Sequence, residues 1–253
     1  MIEIRNVSKR FGHQVVLDGV NLVVEEGETL ALLGPSGTGK SVLLKSIIGL
    51  IKPERGEIIV DGQNVGKLKR DALSKLRATI GYVFQNGALF DSMDVFENIR
   101  LGLTDEKEFS NEEYAKERAA ETLRLVNLNL DTLTKMPSEL SGGMRKRVGI
   151  ARAIAGKPKY VLYDEPTSGL DPVNSDIIDA LVKRLETELG VTSITVTHDV
   201  RGAFRTADRI ALLTHGKIVA IGPPDEFRAS EVPEVKAFLE RDFETAPQNG
   251  TAK

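Results

Sequence analysis

A glycine-rich run that ends in a lysine and a serine is the clearest chemical feature of the sequence. Residues 34–41 are GPSGTGKS, with the pattern Gly, four residues, Gly, Lys and then Ser. Loops of this kind surround nucleotide phosphates with backbone N–H groups, and the helix that follows adds a favourable dipole. Lys40 supplies a positive charge and Ser41 an oxygen ligand for Mg²⁺. The run therefore predicts binding of a nucleotide together with Mg²⁺.

The alternative for this run is an ordinary glycine-rich turn, since a chance match to the pattern occurs on the order of once per hundred chains. The flanking residues favour the phosphate loop. TLALLG at 29–34 is predicted as a buried strand, and SVLLKSIIGL at 41–50 as a helix with one apolar side. The residues expected to contact the nucleotide here are Gly34, Pro35, Ser36, Gly37, Thr38, Gly39, Lys40, Ser41 and Val42.

Two neighbouring acids end a second apolar run, YVLYDEP at 160–166. Alone this pattern is weak, because strands commonly end in polar turns. Beside a phosphate loop it gains meaning: an acid at a strand end can hold the Mg²⁺ shell, which suits Asp164. Glu165 is then placed to polarise a water, which needs a base because it is a poor nucleophile at neutral pH. The pair predicts nucleotide hydrolysis.

A third motif, LSGGMRKR at 140–147, has two compatible interpretations. In the structural one, Ser141 caps a helix whose basic residues face solvent. In the functional one, the same serine hydroxyl and glycine N–H groups form an anion site at a helix start.

The order of elements that must position these motifs is that of an α/β fold. Further strands are predicted at GEIIVDG, TIGYVFQ, SITVTH, RIALL and KIVAIG, with a small β-rich start before them. Helical stretches separate most of the later strands, as in a parallel sheet with crossover helices. His215 and Gly216 predict a hairpin before the last strand. Residues 87–157 are predicted as a mainly helical insertion.

Composition excludes several classes of function. The 253 residues carry 34 basic and 37 acidic side chains, so the basic excess of a nucleic-acid-binding domain is missing and no nucleic-acid partner is expected. No cysteine is present, which excludes disulfides and thiolate metal sites. The longest uncharged stretch, 78–90, is too short to span a membrane. We therefore expect a soluble chain whose membrane contacts come through a partner.

Taken together, the motifs resemble one family, the ATP-binding-cassette (ABC) ATPases, in which LSGG is the signature sequence. The resemblance covers about residues 1–228 and assigns further roles. Phe11 resembles the aromatic residue that stacks on adenine, and Gln85 the glutamine that touches Mg²⁺ and the attacking water. His198 resembles the histidine that contacts the γ-phosphate. The run SGLD, from Ser168 to Asp171, resembles the loop that crosses the dimer interface.

For this family the resemblance implies ATP as the substrate, Mg²⁺ as the metal and a second copy of the chain as a partner. One copy binds ATP on its phosphate loop, and the signature of the other closes over the γ-phosphate, so that hydrolysis needs two chains. Binding closes the dimer, and hydrolysis opens it. The signature residues expected to make this contact are Ser141, Gly142, Gly143 and Met144.

The same resemblance divides the chain into three parts. Residues 1–86 and 158–228 are expected to form the ATP-binding core with its β subdomain, a phosphate-loop NTPase core of mixed or parallel sheet with flanking helices. Residues 87–157 are expected to form the helical signature subdomain. Residues 229–253 are expected to be a C-terminal helix and tail. In that helix Val235, Phe238, Leu239 and Phe243 pack either on a neighbouring subunit or on their own domain.

Within the family, Met144 departs from the usual glutamine. LSGGMRKRVGIARAIA and FQNGALFDSMDVFENI resemble the ATPases of bacterial lipid transporters linked to MCE-domain proteins, the Mla type. This resemblance implies phospholipid transport at the cytoplasmic face of the bacterial inner membrane. The implied partners are an integral membrane permease, an MCE-domain protein and a small accessory subunit. The apolar residues after Gln85 are then expected to divide between the core and a docking groove for the permease.

Three alternatives stay open. The nearest is the ATPase of an importer for amino acids or another small polar solute. Non-transport ABC proteins that act on DNA or ribosomes usually have two cassettes, long coiled coils or cysteine clusters, none of which this sequence has. A regulatory module without turnover is disfavoured, because Lys40, Asp164, Glu165 and His198 are all present.

Overall fold

The structure, a computed structural model, describes residues 1–244, with side chains through Glu240. The strands of this part of the chain are β1 (Ile2–Phe11), β2 (Gln14–Val24), β3 (Thr29–Leu33), β4 (Arg55–Val60), β5 (Gln63–Asn64), β6 (Ile80–Val83), β7 (Tyr160–Asp164), β8 (Thr192–Thr197), β9 (Arg209–Thr214) and β10 (Lys217–Gly222). Its α-helices are α1 (Lys40–Ile47), α2 (Arg70–Ala78), α3 (Val95–Arg100), α4 (Glu106–Ser110), α5 (Glu112–Leu125), α6 (Gly142–Ala155), α7 (Pro172–Leu189), α8 (Val200–Thr206), α9 (Pro224–Arg228) and α10 (Pro233–Glu244).

The N-terminal strands form an antiparallel sheet in the order β2-β1-β4-β5. Ile2 of β1 lies opposite Val24 of β2 on one side and Val60 of β4 on the other, and all three side chains are fully buried. Alternating buried and exposed positions give this sheet one apolar face. The predicted β-rich start is thereby confirmed.

A second sheet has the order β10-β9-β3-β8-β7-β6. Its strands run parallel except for β10, which pairs antiparallel with β9 through the predicted turn at His215 and Gly216. Both turn residues have positive φ, 48° and 76°, as the tight turns of two-residue hairpins require. Strands β3, β7 and β8 are buried along their whole length, as expected for a sheet covered on both faces. The predicted α/β class is confirmed.

Three apolar clusters hold the fold together. The first joins the antiparallel sheet to α1 and one face of the central sheet, with Leu43, Leu44 and Ile47 as buried residues of α1. The second lies beneath α3, α5, α6 and α7. The third packs α8 and the C-terminal helices against β3 and β9.

All four helices α3 to α6 lie within residues 87–157, the range of the predicted helical insertion. Their apolar side chains share one cluster with Val161 and Tyr163 of β7 and with Leu181 of α7. The helical part is therefore continuous with the core of the central sheet, and its limits as a separate subdomain stay a prediction.

The C-terminal helix α10 packs on its own domain. Val235 is fully buried and Leu239 is buried, both in the cluster that contains Phe227 and Leu33, and Phe238 packs against its edge. These side chains therefore contact their own domain, which is one of the two alternatives stated for them. The side chain of Phe243, and residues 245–253 of the expected tail, lie outside the described residues. Within residues 1–244, no helix combines the length and apolar character that a membrane crossing requires.

Candidate active site

Four loops that follow parallel strands meet at one edge of the central sheet. The phosphate loop follows β3, Gln85 follows β6, Glu165 follows β7 and His198 follows β8. Because β8 lies between β3 and β7, and β6 lies beside β7, residues from distant parts of the sequence reach neighbouring strand ends. This edge, at the carboxyl ends of the strands, is where open α/β sheets bind their ligands.

Between β3 and α1 the glycine loop turns tightly. Gly37 and Gly39 have φ values of 81° and 100°, which L side chains rarely adopt. A Cβ atom on Gly39 would lie 2.8 Å from the side chain of Val16 and 2.9 Å from its carbonyl oxygen. The close approach of β2 to the loop therefore requires glycine at this position.

Lys40 begins α1, and it is buried in the centre of the loop. Its Nζ donates to the carbonyl oxygens of Gly34 at 2.8 Å and Pro35 at 3.0 Å. It also lies 3.7 Å from Oε1 of Glu165. Burial lowers the pKa of Lys40, although the charge of Glu165 opposes this. A cation so placed can attract phosphate oxygens to the loop.

Ser41 and Asp164 meet directly, since Oγ of the serine donates to Oδ1 of the aspartate at 2.6 Å. The other carboxylate oxygen, Oδ2, accepts a hydrogen bond of 2.9 Å from the hydroxyl of Tyr82 on β6. Burial, together with the charge of Asp164, raises the pKa of Tyr82. Tyr82 therefore stays a hydrogen-bond donor and fixes the orientation of the carboxylate.

Glu165 has a backbone conformation that is uncommon for its residue type, with φ of 54°. Its N–H donates to the carbonyl oxygen of Val196 at 2.8 Å. Its Oε2 lies 2.6 Å from Nδ1 of His198, so that the carboxylate is placed between this imidazole and Lys40. A carboxylate with two cationic or donor neighbours and a place beside the cleft can orient a water.

The pKa values of this pair move in opposite directions. Burial tends to raise the pKa of Glu165, but the hydrogen bond to His198 and the charges of His198 and Lys40 lower it overall. The hydrogen bond to Glu165 raises the pKa of His198, with burial acting against it. Glu165 is therefore ionised at neutral pH.

A cleft of about 390 Å³ lies beside these groups. Gln85, Lys40, Ser41, Val42 and Glu165 line it, together with Phe11, Gln14, Val16, Ser36, Gly37 and Gly39. Gln85 is exposed, and its Nε2 donates to Oγ of Ser168 at 3.3 Å. Phe11 stands at the rim with half of its surface exposed, and Nζ of Lys9 lies 5.2 Å from its ring centroid. An exposed aromatic ring beside a phosphate loop can stack on a base.

Ser141 and the glycines after it lie apart from this cleft and are not among its lining residues. Oγ of Ser141 caps α6 by accepting from the N–H of Met144 at 3.3 Å. Ser141 and Gly142 are exposed, whereas Gly143 is buried and Met144 half-buried. Asp171 caps α7 in the same way, with its Oδ1 accepting from the N–H of Asn174 at 3.1 Å.

The basic residues that follow the signature do not all face solvent, contrary to expectation. Arg145 is exposed and Arg147 is half-buried, but Lys146 is buried. Lys146 points inward because α6 packs against the segment after β7. There its Nζ donates a hydrogen bond to the carbonyl oxygen of Glu165.

The oxygen atoms of Ser41 and Asp164 are hard ligands of the kind that Mg²⁺ prefers. Among residues 1–244, no cluster of three His, Cys, Asp or Glu side chains could hold a metal by itself. The residues present therefore fit an ion that is completed by phosphate and water oxygens, as Mg²⁺ usually is.

Several residues of the site are not among the sequence predictions. Gln14 and Val16 line the cleft from β2, and Tyr82 holds Asp164. A signal for Tyr82 is present in the sequence, because it lies in the strand TIGYVFQ just before Gln85. Its pairing with Asp164, however, depends on which strand lies beside β6.

Comparisons with known proteins extend over nearly the whole chain. The family model described as ABC transporter matches residues 17–168. The probable ribonucleotide transport ATP-binding protein mkl of Mycobacterium leprae (strain TN) is 40% identical over 238 residues, which are 94% of this chain and 68% of that protein. The chain covers 66% of the length of the protein of the same name from Mycobacterium tuberculosis (strain ATCC 25618 / H37Rv).

A second set of relatives matches this chain over most of their own length. The intermembrane phospholipid transport system ATP-binding protein MlaF of Haemophilus influenzae is 38% identical over 239 residues, 94% of this chain and 90% of that protein. MlaF of Escherichia coli (strain K12) is 37% identical over 241 residues, 95% of this chain and 88% of that protein.

Solved structures agree with the fold. The dimeric post-hydrolysis state of the ATP-binding cassette MJ0796 bound to ADP and Pi has a TM-score of 0.80 and 37% identity, and the match covers 88% of this chain and 99% of that one. The structure of cbiO1 from Clostridium perfringens, part of the ABC transporter complex cbiONQ, has a TM-score of 0.81 and 29% identity, covering 94% and 98% of the two chains.

Proposed function

The chain belongs to the ABC transporter family as one of its ATP-hydrolysing subunits, and on that basis we propose that it powers phospholipid transport across or between bacterial membranes. The observation that carries this proposal is the match to MlaF over 94% of this chain and 90% of the Haemophilus influenzae protein. The segment around Met144 and the apolar residues after Gln85 support it.

A second candidate is transport of a small polar solute. It is favoured by the protein named for ribonucleotide transport, which is 40% identical to this chain. A ribonucleotide, like the amino acids considered from the sequence, is polar and water-soluble. The two candidates share the ATPase chemistry and differ in the proteins with which the subunit assembles.

For the ATPase reaction, the N–H groups of the glycine loop and Nζ of Lys40 bind the β- and γ-phosphates of ATP. Lys40 exchanges its hydrogen bonds with the carbonyl oxygens of Gly34 and Pro35 for bonds to phosphate oxygens. Phe11 stacks on the adenine ring at the rim of the cleft. Ser41, Asp164 and Gln85 would hold Mg²⁺, which would offset negative charge on the phosphates.

Glu165 acts on the attacking water. Its carboxylate is ionised and lines the cleft, so it accepts a hydrogen bond from the water and then its proton. His198 holds that carboxylate through the 2.6 Å contact at Nδ1, which leaves Nε2 available for the γ-phosphate. Gln85, which lines the same cleft, also contacts this water.

The site of one chain is completed by a second copy. Ser141 and Gly142 are exposed but do not line the cleft of their own chain. In a dimer the signature of the second copy, residues 141–144, closes over the γ-phosphate, and Asp171 lies in the loop between the two sites. The helix start capped by Ser141 is suited to this contact, because free N–H groups at a helix N-terminus attract anions.

The segment after Gln85 is the proposed docking groove for the integral membrane permease. Phe90 is 54% exposed and Ala88 is exposed, while Leu89, Met93 and Phe96 are half-buried. Asn98, fully buried, holds the segment in shape: its Nδ2 donates to carbonyl oxygens of Phe90, Met93 and Asp94. A rigid loop with exposed apolar side chains fits a short amphipathic helix.

Such an assembly would place the chain at the cytoplasmic face of the bacterial inner membrane, together with an MCE-domain protein and a small accessory subunit. The test is capture of the full-length chain from detergent-solubilised membranes of its own cells. An MCE-domain protein in the captured complex supports lipid transport. A periplasmic solute-binding protein as partner contradicts it.

The same capture tests the docking groove through Phe90→Ser. We expect this variant to recover less permease, because the apolar contact is lost. Leu189→Ser, at the end of α7, is the matched control, since Leu189 is also an exposed large apolar residue, 37% exposed, and lies in the expected ATP-binding core. Equal recovery of permease by Phe90→Ser and the wild-type chain would remove the groove from the proposal.

Glu165→Gln tests the catalytic assignment. The amide keeps the size of the side chain but accepts no proton, so ATP binding should persist and a closed dimer should accumulate while turnover is abolished. Size-exclusion chromatography with ATP and steady-state phosphate release measure the two effects. Unchanged hydrolysis would rule out the assigned role of Glu165.

A further inference from the structure

Lys146 is a buried cation that the mechanism above does not use. It lies in the second turn of α6, the helix that begins at the signature, and only 5% of its surface is exposed. Its Nζ donates a hydrogen bond of 3.2 Å to the backbone carbonyl oxygen of Glu165. The helical part of the molecule thus contacts the backbone of Glu165, the residue that carries the proposed catalytic carboxylate.

That backbone needs support. A non-glycine residue with φ of 54° is strained by about 1 kcal/mol or more and keeps this conformation only when its surroundings impose it. On one side, the N–H of Glu165 is fixed by the carbonyl oxygen of Val196. On the other, its carbonyl oxygen accepts from Nζ of Lys146 and from the N–H of Ser168 at 3.2 Å. Of these contacts, the one from Lys146 comes from the helical part of the chain, through α6.

Burial of the charged Lys146 side chain costs free energy, because the ammonium group loses its contact with water. Burial lowers the pKa of Lys146 to about 8, against the opposing effect of the charge on Glu165. A methionine has a similar length and would fill the space without desolvating a cation. Packing alone therefore does not account for a lysine here.

We propose that Lys146 is a positioning residue, which holds Glu165 in its left-handed backbone conformation and so ties α6 to the carboxylate that polarises the water. This role depends on the proposed function of Glu165. Because Ser141 caps the start of α6, the same hydrogen bond connects the signature of a chain to that chain's own Glu165. Closure of a second copy on the signature would act on Glu165 through this bond.

Lys146→Met tests the proposal in the full-length chain. We expect kcat for ATP hydrolysis to fall about tenfold or more while KM for ATP changes by less than about twofold, because the phosphate loop is untouched. Lys146→Arg keeps both the charge and a donor, and should recover most of the lost kcat. Lys116→Met, the same change at an exposed lysine of α5, should leave both constants unchanged.

A merely structural role predicts a different pattern. If Lys146→Met lowers the melting temperature but leaves kcat unchanged, or raises KM as strongly as it lowers kcat, the proposal is wrong. Failure of Lys146→Arg to recover kcat while remaining folded also overturns it. If the methionine variant does not fold, Lys146→Leu replaces it, because leucine likewise donates no hydrogen bond to the carbonyl oxygen of Glu165 and should lose kcat as well.

Glu165→Gln in the same assay separates the two ideas. Loss of turnover in Glu165→Gln with normal kcat in Lys146→Met overturns only the positioning role of Lys146. Normal turnover in Glu165→Gln overturns the proposed function of Glu165 itself, and the role of Lys146 with it.

Discussion

Tyr82 donates a hydrogen bond of 2.9 Å to Oδ2 of Asp164, and Ser41 donates one of 2.6 Å to Oδ1 of the same carboxylate. Two donors, one from β6 and one from α1, therefore fix the two oxygens of a carboxylate on β7. Orientation of this kind around a metal ligand usually has a large effect on metal affinity.

Tyr82→Phe should weaken the use of Mg²⁺ without removing it. The carboxylate keeps Ser41 but loses the donor that fixes its second oxygen, so we expect half-maximal ATPase activity to need about tenfold more Mg²⁺. Titration of activity with Mg²⁺ at saturating ATP measures this. Tyr114→Phe removes a comparable hydroxyl contact, to Glu108 in the helical part, and should leave the titration unchanged. Identical Mg²⁺ dependence in the Tyr82 variant would contradict the assignment.

Gly39→Ala should disrupt the phosphate loop by steric contact as well as by backbone strain. The added methyl group would lie 2.8 Å from the side chain of Val16, and φ is 100°. We expect ATP affinity to fall more than about tenfold and the melting temperature to fall. Gly27→Ala is the control, because Gly27 has φ of 77° but open space around it. It should show only the backbone cost of about 1 kcal/mol. Equal melting temperatures in the two variants would show that the contact with Val16 is unimportant.

His198 should titrate above the ordinary histidine pKa of about 6.5, because its imidazole is hydrogen-bonded to Glu165. The stabilisation that protonated His198 contributes is then complete below about pH 6.5 and is lost as pH rises through the raised pKa. It is small, since 55% of the side chain is exposed. The chain has three histidines, so NMR signals can be assigned by removing His13 and His215 in turn.

In the Glu165→Gln variant this titration should move toward lower pH, because the charge that stabilises the imidazolium is gone. The stability that Glu165 contributes depends on pH in the opposite direction. Because the pKa of Glu165 is lowered, this stability is present above about pH 4.5 and is lost as pH falls through the lowered pKa. An unchanged pKa of His198 in Glu165→Gln would mean that the 2.6 Å contact between the two side chains does not stabilise the imidazolium.

Val235→Ala should destabilise the domain itself. Val235 is fully buried beside Phe227 and Leu239, and deletion of two methyl groups from such a site costs about 1–3 kcal/mol. Thermal unfolding of the isolated chain measures this, with Val173→Ala, a valine that is 68% exposed, as control. A chain truncated from Ala229 should be destabilised further. Unchanged melting of both altered chains would favour the alternative that α10 packs on a neighbour.

The phosphate loop, the two acids after β7 and the alternation of strands with helices could be predicted from the sequence, because each is a local pattern with a physical cause. Ser41 and Asp164 could be named as partners from their chemistry alone. Their hydrogen bond follows only from the sheet order, in which β7 is separated from β3 by β8. That order depends on contacts between residues that are far apart in the chain.

Lys146 shows the limit of such predictions. In the run MRKR the three residues 145–147 are all basic, which is typical of a solvated helix face. Burial of Lys146 requires a polar acceptor beneath α6, and this acceptor is a backbone carbonyl oxygen. Backbone acceptors carry no signal in the residue types, so neither the direction of Lys146 nor its partner could be predicted.

The helical part of the chain leaves the central sheet at the end of β6 and returns at the start of β7, two strands that are hydrogen-bonded neighbours. Pairing of these strands, rather than the length of chain between them, sets the distance from Gln85 to Asp164. Outside the signature and Lys146, the length and outer surface of this connection can therefore change without moving Gln85 or Asp164. The same ATP-hydrolysing site can in this way be combined with different partner proteins.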